Sequence, residues 1–357
     1  MKTQQGHGDA VRLGVLEEQP QALQIIAGAE GRRGGIPIGT AHLYSRDAAS
    51  SYPKGPADLR DEDLGLALAT TMSSSASAGP RTWFITGCSS GFGRAIAEAA
   101  LQAGDRVVLT ARDVSSIESL AAVVPEQALA LALDVTHEDQ IHAALDAAVE
   151  RFGPLDVVVN NAGYGLIGAI EECQPDQIRR CMETNFFGTL NVIRSVLPRL
   201  RVQRSGHIVN LSAAAAISNY AGFGVYGAAK AAVEALSESL RAETLALGIR
   251  VTLIEPGPFR TDFIGRSLEP VPQRLTDYDR SSGKFAQFLK VIDGKQPGDP
   301  ARAAQAIVTM VHSGQAPFRM PLGRYVVKKL RDRATELNKV ADEQEAVAIA
   351  TDFQTGG

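Results

Sequence analysis

Tyr226 and Lys230 lie four residues apart in the segment YGAAK, residues 226–230. If this segment is helical, the two side chains share one face of the helix about one turn apart. An ammonium group near a phenol favours the phenolate, and so lowers the tyrosine pKa from about 10 toward neutral pH. Such a tyrosine serves as general acid and base when an alcohol and a carbonyl group interconvert. Taken alone, the pair also fits an ordinary helix surface.

A glycine-rich loop, TGCSSGFG at residues 86–93, joins an apolar, strand-like stretch to the helical pattern AIAEAALQAG. A helix N-terminus offers unpaired backbone N–H groups and the positive end of the helix dipole, and both favour a phosphate group. Gly87, Gly91 and Gly93 allow close approach of the phosphate. Hydroxyl donors come from Thr86, Ser89 and Ser90. A tight turn without a ligand is the alternative.

From residue 81 onward, apolar strand-like segments alternate with amphipathic helix-like segments. Strands that are apolar on both faces indicate a parallel sheet with helices covering both sides. The sequence therefore predicts an α/β fold, a doubly wound parallel sheet of the Rossmann type in three layers, as a single domain over 81–357. The predicted strands are TWFIT, RVVLTA, ALALALDV, DVVVN, HIVNLS and VTLIEP, and long helices are predicted near 176–203 and 225–247.

The end of the second predicted strand, VVLTARD, bears on which dinucleotide such a fold binds. A protein that prefers NAD places an acidic residue there to hold the ribose 2′-hydroxyl. This chain has Ala111 and Arg112 instead, and a guanidinium pairs with the 2′-phosphate of NADP. We therefore expect a preference for NADP(H), with NAD(H) as the second option. Arg112 as a solvated loop charge, or Asp113 as an acid in a shifted alignment, are the alternatives.

The bulk composition argues against several classes of function. A net charge of −4 and a pI near 5.9 do not favour a nucleic-acid partner. Cys88, Cys173 and Cys181 form no CxxC pair and have no histidine at ligand spacing, so we expect neither a disulfide framework nor a metal site. No apolar run approaches the roughly 18 residues that a membrane span needs. We expect a cytoplasmic protein without a membrane partner.

Two segments depart from the alternating pattern. Residues 1–80 are rich in Gly, Ser and Pro without a sustained apolar period, so we expect a disordered extension there. Met72 is a candidate for the true start of the protein, and a regulatory tail is the alternative. Residues 258–299 lack the strand and helix rhythm and carry five aromatic residues, which suits a mobile lid over a substrate site.

Six motifs follow one another along the chain: TGCSSGFG, LDV (133–135), NNAG (160–163), ETNFFG with Asn185, YGAAK, and EPGPFRTDF (255–263). Their order and approximate spacing resemble the short-chain dehydrogenase/reductase family over about residues 81–353. The segments GPFRTDF, QPGDP and the terminal TDF resemble its 17β-hydroxysteroid dehydrogenase-like subgroup.

The resemblance implies a role for each matching residue. Tyr226 would be the catalytic acid and base, Lys230 would hold the nicotinamide ribose and lower the tyrosine pKa, and Asn185 would anchor a water in the proton relay. Arg112 would meet the 2′-phosphate. The other residues that would contact the cofactor are Gly87, Ser89, Ser90, Gly91, Phe92, Gly93, Asp134, Val135, Asn160, Asn161, Ala162, Gly163, Pro256, Gly257 and Thr261.

One position departs from the family pattern. A serine thirteen residues before the tyrosine would donate a hydrogen bond to the substrate oxygen, but this chain has Ala213 there. Three interpretations follow. The loop shifts so that Ser212 acts as the catalytic serine; Ser218 or a water replaces it; or the protein binds NADP with weak or no turnover.

The sequence thus predicts an NADP(H)-dependent oxidoreductase that interconverts an alcohol with a ketone or aldehyde, with a small apolar substrate. The alternative is a catalytically impaired or non-catalytic NADP-binding protein of the same fold. By family habit, the helices near 176–203 and 225–247 would pair in a homodimer or homotetramer. Small residues suited to such close helix contact are Ala228, Ala232 and Ala235.

Overall fold

The computed structural model of the chain describes residues 79–353. The extension that the sequence predicts over residues 1–80 lies outside this range except for its last two residues. The candidate start at Met72 also lies outside it.

Parallel strands form the centre of the described part of the chain. Seven of them make one sheet in the order β3-β2-β1-β4-β6-β7-β9, and β5 and β8 make a separate parallel pair. The predicted doubly wound α/β sheet is confirmed. The strands are β1 (Thr82–Ile85), β2 (Arg106–Ala111), β3 (Ala128–Ala132), β4 (Val157–Asn160), β5 (Gly165–Ile167), β6 (Gly206–Leu211), β7 (Ile249–Pro256), β8 (Leu268–Pro270) and β9 (Arg319–Leu322).

Helices connect the strands and cover the sheet on both faces. They are α1 (Gly91–Gln102), α2 (Ser115–Val123), α3 (Glu138–Phe152), α4 (Pro175–Met182), α5 (Gly188–Gln203), α6 (Ala214–Ile217), α7 (Gly224–Thr244), α8 (Phe263–Arg266), α9 (Lys284–Ile292), α10 (Pro300–His312) and α11 (Arg324–Ile349). None of the helices described between residues 79 and 353 is both long enough and apolar enough to cross a membrane.

Strand β1 shows why the sheet needs helices on both sides. Its side chains alternate between the two faces, as in any strand. Trp83 and Ile85 join a core cluster with α1 and α10, whereas Phe84 joins the cluster that α3 and α5 form on the other face. All three side chains are fully buried. Apolar burial on both faces is thus the source of the uninterrupted apolar pattern of the strand.

The structure corrects the sequence-based prediction at two places. The helix predicted near 176–203 is α4 and α5, joined by a π-helical segment at Glu183–Phe187. The edge strand β9 was not predicted, because Pro321 lies inside it and proline cannot donate to a sheet ladder. As an edge strand, β9 pairs only with β7 within the described chain. The lid region 258–299 contains α8, β8 and α9, and a 3-10 turn at Thr276–Tyr278 and a π-helical segment at Asp279–Gly283 lead from β8 into α9.

His207 on β6 gives the fold a sensitivity to acid. Its Nε2 lies 2.8 Å from Thr252 Oγ1, and the Thr252 hydroxyl donates to the Pro317 carbonyl, so Nε2 is the donor of a neutral imidazole. Burial, together with the nearby guanidinium groups of Arg250 and Arg81, lowers the pKa of His207 to about 3.

The pKa of His207 is about 6.5 in the unfolded chain and about 3 in the folded chain, so between these pH values the unfolded chain binds one more proton. We therefore expect the free energy of unfolding to fall as the pH drops below 6.5. The loss from this one group between pH 7 and pH 5 is about 2 kcal/mol. Urea denaturation of the wild type and of His207→Gln at both pH values measures it, since glutamine keeps a donor toward Thr252 but does not titrate. Equal pH dependence in the two proteins would contradict the assignment.

Candidate active site

A cleft of about 1060 Å³ opens at the carboxyl edge of the large sheet. Parallel strands all end at the same edge, so the loops that follow β1, β2, β4, β6 and β7 converge there. The lid elements α8, β8 and α9 also line this cleft. Most of the candidate residues predicted from the sequence are thereby brought into one cavity.

The glycine loop lies between β1 and the N-terminus of α1. Gly87 and Gly91 have positive φ angles of 74° and 60°, which only glycine adopts readily. The Ser90 side chain does not cap its own helix. Gly93 does not line the cleft. A Cβ there would overlap the Gly87 carbonyl and the Asn161 amide, so glycine at this position allows α1 to pack against the loop. The loop residues that line the cleft are Gly87, Ser89, Ser90, Gly91 and Phe92.

Thr86 is buried and does not supply a donor to the cleft, contrary to the expectation from sequence. Its Oγ1 accepts from the backbone N–H groups of Asn161 and Ala162, both at 3.0 Å, and donates to the Val159 carbonyl. The Asn161 side chain in turn donates to the carbonyls of Thr86 and Gly87. These bonds hold the glycine loop in a fixed position beside the end of β4.

Asn160 differs from its neighbour Asn161. Its side chain is buried between strands and donates to Asn210 Oδ1 at 2.8 Å, and it does not line the cleft. The expected contact of Asn160 with a cofactor is therefore not supported. Alternation along β4 explains the difference, since consecutive side chains point to opposite sides. Asn161, Ala162 and Gly163 do line the cleft.

The end of β2 presents a cation to the cleft. Arg112 is exposed, lines the cleft, and makes no ion pair or hydrogen bond through its side chain within residues 79–353. Asp113 does not line the cleft, because its Oδ1 accepts from the backbone N–H and the hydroxyl of Ser115 at the start of α2. The alternative in which Asp113 is the ribose acid thus loses support.

Asp134 and Val135 follow β3 and also line the cleft. Partial burial raises the pKa of Asp134, but hydrogen bonds from the backbone N–H and hydroxyl of Thr136 outweigh it, so the pKa of this carboxyl lies below its ordinary value. Asp134 is therefore held as a charged turn residue at the cleft. Pro256, Gly257 and Thr261 line the cleft on the far side, after β7.

Tyr226 and Lys230 share one face of α7 and both line the cleft, only 7 % and 5 % exposed. Lys230 Nζ donates to the Leu211 carbonyl at 2.8 Å. Among the described residues, this carbonyl is its one hydrogen-bond partner and the Tyr226 hydroxyl has none. Two ammonium protons and one phenol are thus available to a bound molecule.

The electrostatics of this pair differ from the expectation. Burial raises the pKa of Tyr226 and lowers that of Lys230 to about 8. The tyrosine ring packs against Phe223 and Phe263, with ring centroids 5.2 and 5.7 Å away. Loss of hydration disfavours the charged form of both groups, and it is the largest cause of both shifts in pKa. At neutral pH the phenol is therefore protonated.

Asn185 lies in the π-helical segment, which turns its side chain inward. Its Nδ2 donates to the carbonyls of Tyr164 and Cys181, both at 2.9 Å, and its Oδ1 accepts from the Tyr164 N–H at 3.2 Å. A Cβ at Gly163 would lie 2.5 Å from this Oδ1 and 3.5 Å from Lys230 Nζ. Asn185 thus clamps the backbone after NNAG next to Lys230. Its role toward a water stays a prediction.

Comparison with known proteins agrees with this geometry. A model of the short chain dehydrogenase family matches residues 81–270. The oxidoreductase BOA17 of Botryotinia fuckeliana (strain B05.10) is 37 % identical over 265 residues, which cover 74 % of this chain and 96 % of that protein. The chain belongs to the short chain dehydrogenase family.

Two further relatives extend the comparison for this short chain dehydrogenase. The 3-ketodihydrosphingosine reductase of Bacteroides thetaiotaomicron is 34 % identical over 250 residues, or 69 % of this chain and 89 % of that protein. The crystal structure of a short-chain dehydrogenase from Streptomyces avermitilis is 39 % identical, with a TM-score of 0.72, and the match covers 77 % of this chain and 100 % of that one. The chain is an oxidoreductase of a family that binds nicotinamide dinucleotides.

The residues of this short chain dehydrogenase fit such a cofactor. The left-handed backbone at Gly87 and Gly91 leaves the helix N-terminus open for a pyrophosphate. A ribose and a nicotinamide would extend from there toward Gly163 and Lys230. Within residues 79–353, no group of three or more histidine, cysteine or acidic side chains is arranged to hold a metal ion, and the three cysteines are free and buried.

Ser212 and Ala213 follow β6, and both line the cleft. The Ser212 hydroxyl donates to Glu234 at 2.5 Å, and Arg319 holds Glu234 from the other side at 2.8 Å. Turning the Ser212 hydroxyl toward a substrate would break this buried network. Ala213 packs in the same apolar cluster as Tyr226. Ser218, the other candidate for the missing serine, does not line the cleft.

Sequence reasoning missed part of the cleft wall. Tyr220 and Phe223 precede Tyr226 by six and three residues, and their spacing would have been the available signal. The Tyr220 ring stacks on Phe285 of the lid, with centroids 4.9 Å apart and planes at 6°. The Tyr220 hydroxyl lies 2.7 Å from that of Tyr325 on α11. The resulting aromatic wall consists of Tyr220, Phe223, Phe263, Phe285 and Phe288.

Proposed function

We propose that this short chain dehydrogenase is an NADP(H)-dependent oxidoreductase that interconverts an alcohol with a ketone or aldehyde. Tyr226 is the proton donor and acceptor. The observation that carries the proposal is the unpaired Tyr226 hydroxyl on the same helix face as the buried Lys230 ammonium, in the same cleft as the glycine loop. A cleft with a phosphate cradle at one end and an acid/base pair at the other suits transfer of a hydride and a proton to one carbonyl group.

The bound cofactor supplies the hydride, and this chain's own residues hold the substrate and move the proton. Because burial keeps the Tyr226 phenol protonated at neutral pH, its proton is ready for the oxygen of a carbonyl substrate. Lys230 is charged below a pKa of about 8 and stabilises the phenolate that forms. Asn185 keeps the Gly163–Tyr164 backbone in place next to this pair. A protonated phenol near pH 7 is the form that carbonyl reduction requires.

The preference for NADP(H) is supported by the unpaired guanidinium of Arg112 and by the engagement of Asp113 with Ser115. We expect Arg112→Gln to weaken NADPH binding by about 10- to 100-fold, since one charge-assisted phosphate contact is lost. NADH binding should stay within about threefold, because NADH has no phosphate at this position. Cofactor fluorescence titrations of the wild type and of Arg112→Gln, each with NADPH and with NADH, measure the effect.

Asp113→Asn is the matched control for this prediction, and we expect it to change neither affinity. Weaker NADH binding in Asp113→Asn with unchanged NADPH binding in Arg112→Gln would reverse the assignment and make NAD(H) the preferred cofactor.

The experiment that tests the function as a whole has two parts. NADPH and NADH are titrated by cofactor fluorescence, and NADPH oxidation is then followed with a panel of ketones and aldehydes. Tight NADPH binding with carbonyl-dependent oxidation is the expected result. Absence of NADPH binding would contradict the assignment of the glycine loop.

A second candidate function rests on Ala213. No hydroxyl is present at the position where the family pattern has a serine, and Ser212 is engaged by Glu234. A catalytically impaired or non-catalytic NADP-binding protein is therefore the alternative. NADPH binding without turnover, not restored by Ala213→Ser, would favour it.

The remaining parts of the proposal concern substrate and assembly. The aromatic wall supports an apolar carbonyl substrate, as the 17β-hydroxysteroid dehydrogenase-like subgroup implies, and one relative is named for a keto lipid.

The exposed Ala228 and Ala235 on α7 support pairing with a second copy as a homodimer or homotetramer. Three unpaired thiols are in line with a cytoplasmic location.

A further inference from the structure

One part of the cleft lining is charged rather than apolar. Tyr164, Arg180, Arg266 and Glu269 all line the cleft together with the aromatic wall. Arg180 belongs to α4, whereas Arg266 ends α8 and Glu269 lies in β8 of the lid. The cleft therefore has both an apolar surface and a polar cluster where the lid meets α4.

Arg180 is held in place by an ion pair that leaves some of its N–H donors unbonded. Its Nη2 donates to Glu269 Oε1 at 2.9 Å, and Gln177 Nε2 donates to the same oxygen at 2.8 Å. A guanidinium has five N–H donors; one bonds Glu269 and another faces the Tyr164 phenol. The Arg180 side chain is 58 % exposed. Its remaining donors are thus positioned and accessible from the cleft.

Two guanidinium groups supply positive charge to this part of the cleft. Arg180 and Arg266 both line it together with one lid carboxylate, Glu269, and Arg180 is paired with that carboxylate. The Arg266 side chain makes no ion pair with any described residue. Glu183 also lines the cleft, and a Cβ at Gly265 would lie 3.5 Å from Asp293 Oδ2.

The charged cluster lies close to the proposed reacting groups. The Arg180 guanidinium approaches the phenol of Tyr164. The backbone of Tyr164 is clamped by Asn185, and the preceding Gly163 lies next to Lys230 Nζ. A substrate with its carbonyl at Tyr226 and its body on the aromatic wall can therefore reach the cluster with its other end.

We infer that the substrate of this oxidoreductase carries a carboxylate remote from the reacting carbonyl, and that Arg180, with Arg266, binds it. A planar carboxylate matches the fork of a guanidinium in two parallel hydrogen bonds. Glu269 and Gln177 are positioning residues, because they orient Arg180 without contacting the carboxylate. The inference rests on the proposed function and adds the chemical class of the substrate: an amphipathic carbonyl acid.

A matched pair of probes tests this inference. We would compare kcat/KM for 4-(4-acetylphenyl)butanoate and its methyl ester, with NADPH as reductant, in the wild type, Arg180→Gln and Arg266→Gln. The expected result for Arg180→Gln is a loss of about tenfold or more for the acid and less than about twofold for the ester, since only the acid forms the charge-assisted bonds. Arg179→Gln is the control, because Arg179 is an exposed neighbour that pairs with Asp176 and does not line the cleft.

Equal losses for acid and ester in Arg180→Gln, or no loss for either, would overturn the inference. A calorimetric titration of the acid into the protein with NADPH present separates it from the proposed function. Without turnover the proposed function fails, yet weaker binding of the acid in Arg180→Gln than in Arg179→Gln would still support the carboxylate site. No binding of the acid to the wild type would overturn the site.

Discussion

Replacement of Tyr226 by phenylalanine is expected to lower kcat for carbonyl reduction by about 10³-fold while NADPH binding stays within about twofold. The variant removes one hydroxyl that has no partner among the described residues, so the packing of the ring against Phe223 and Phe263 is kept. Proton donation to the developing alkoxide is lost, because a phenyl ring has no proton to give. Steady-state rates of NADPH oxidation and cofactor fluorescence titrations measure the two quantities.

Tyr220→Phe is the matched control, since Tyr220 also lines the cleft and loses only its contact with the Tyr325 hydroxyl. We expect its kcat to remain within about fivefold of the wild type. Two results would count against Tyr226 as the acid and base: unchanged kcat in Tyr226→Phe, or a loss of equal size in Tyr220→Phe.

Introduction of serine at Ala213 is expected to raise kcat/KM for carbonyl reduction by about a hundredfold. A single donor to a developing oxyanion contributes on the order of 3 kcal/mol. Ala213 lines the cleft in the same cluster as Tyr226, so we expect a hydroxyl there to donate to a substrate oxygen bound at Tyr226. The measurement is kcat/KM for one ketone with NADPH in the two proteins.

Ala215→Ser is the control for this gain, because Ala215 is a second buried alanine of the same cleft wall. We expect it to leave kcat/KM within about threefold. If Ala213→Ser leaves a measurable wild-type rate unchanged, the substrate oxygen does not lie at this position. Loss of activity in Ser212→Ala with no gain in Ala213→Ser would instead return the role to Ser212.

The fold class was predictable from sequence because its signals are local. The alternation of Trp83, Phe84 and Ile85 between two buried faces leaves an apolar strand pattern in the chain itself. The glycines of TGCSSGFG predict a loop that a phosphate can approach closely, and two of them, Gly87 and Gly91, have the positive φ angles that glycine adopts readily. The parallel sheet and the family are accordingly confirmed.

The candidate site was predictable in position but not in every contact. The spacing of Tyr226 and Lys230 places them on one helix face, and the structure has both in the cleft. Adjacent residues proved harder to assign. Asn161 faces the glycine loop while Asn160 faces Asn210, because only the register of β4 determines which of them turns to the cleft.

Sequence alone determined the α/β sheet, the glycine loop, and the shared helix face of Tyr226 and Lys230. It also placed a cation, Arg112, at the strand end where an acidic residue would favour NAD. Each of these depends on residues that are neighbours in the chain. Tertiary structure alone decided the engagement of Ser212 by Glu234, the raised pKa of Tyr226, and the contact of Arg180 with Glu269, which is 89 residues away. Burial and long-range pairing arise only when distant segments pack together, so no local pattern records them.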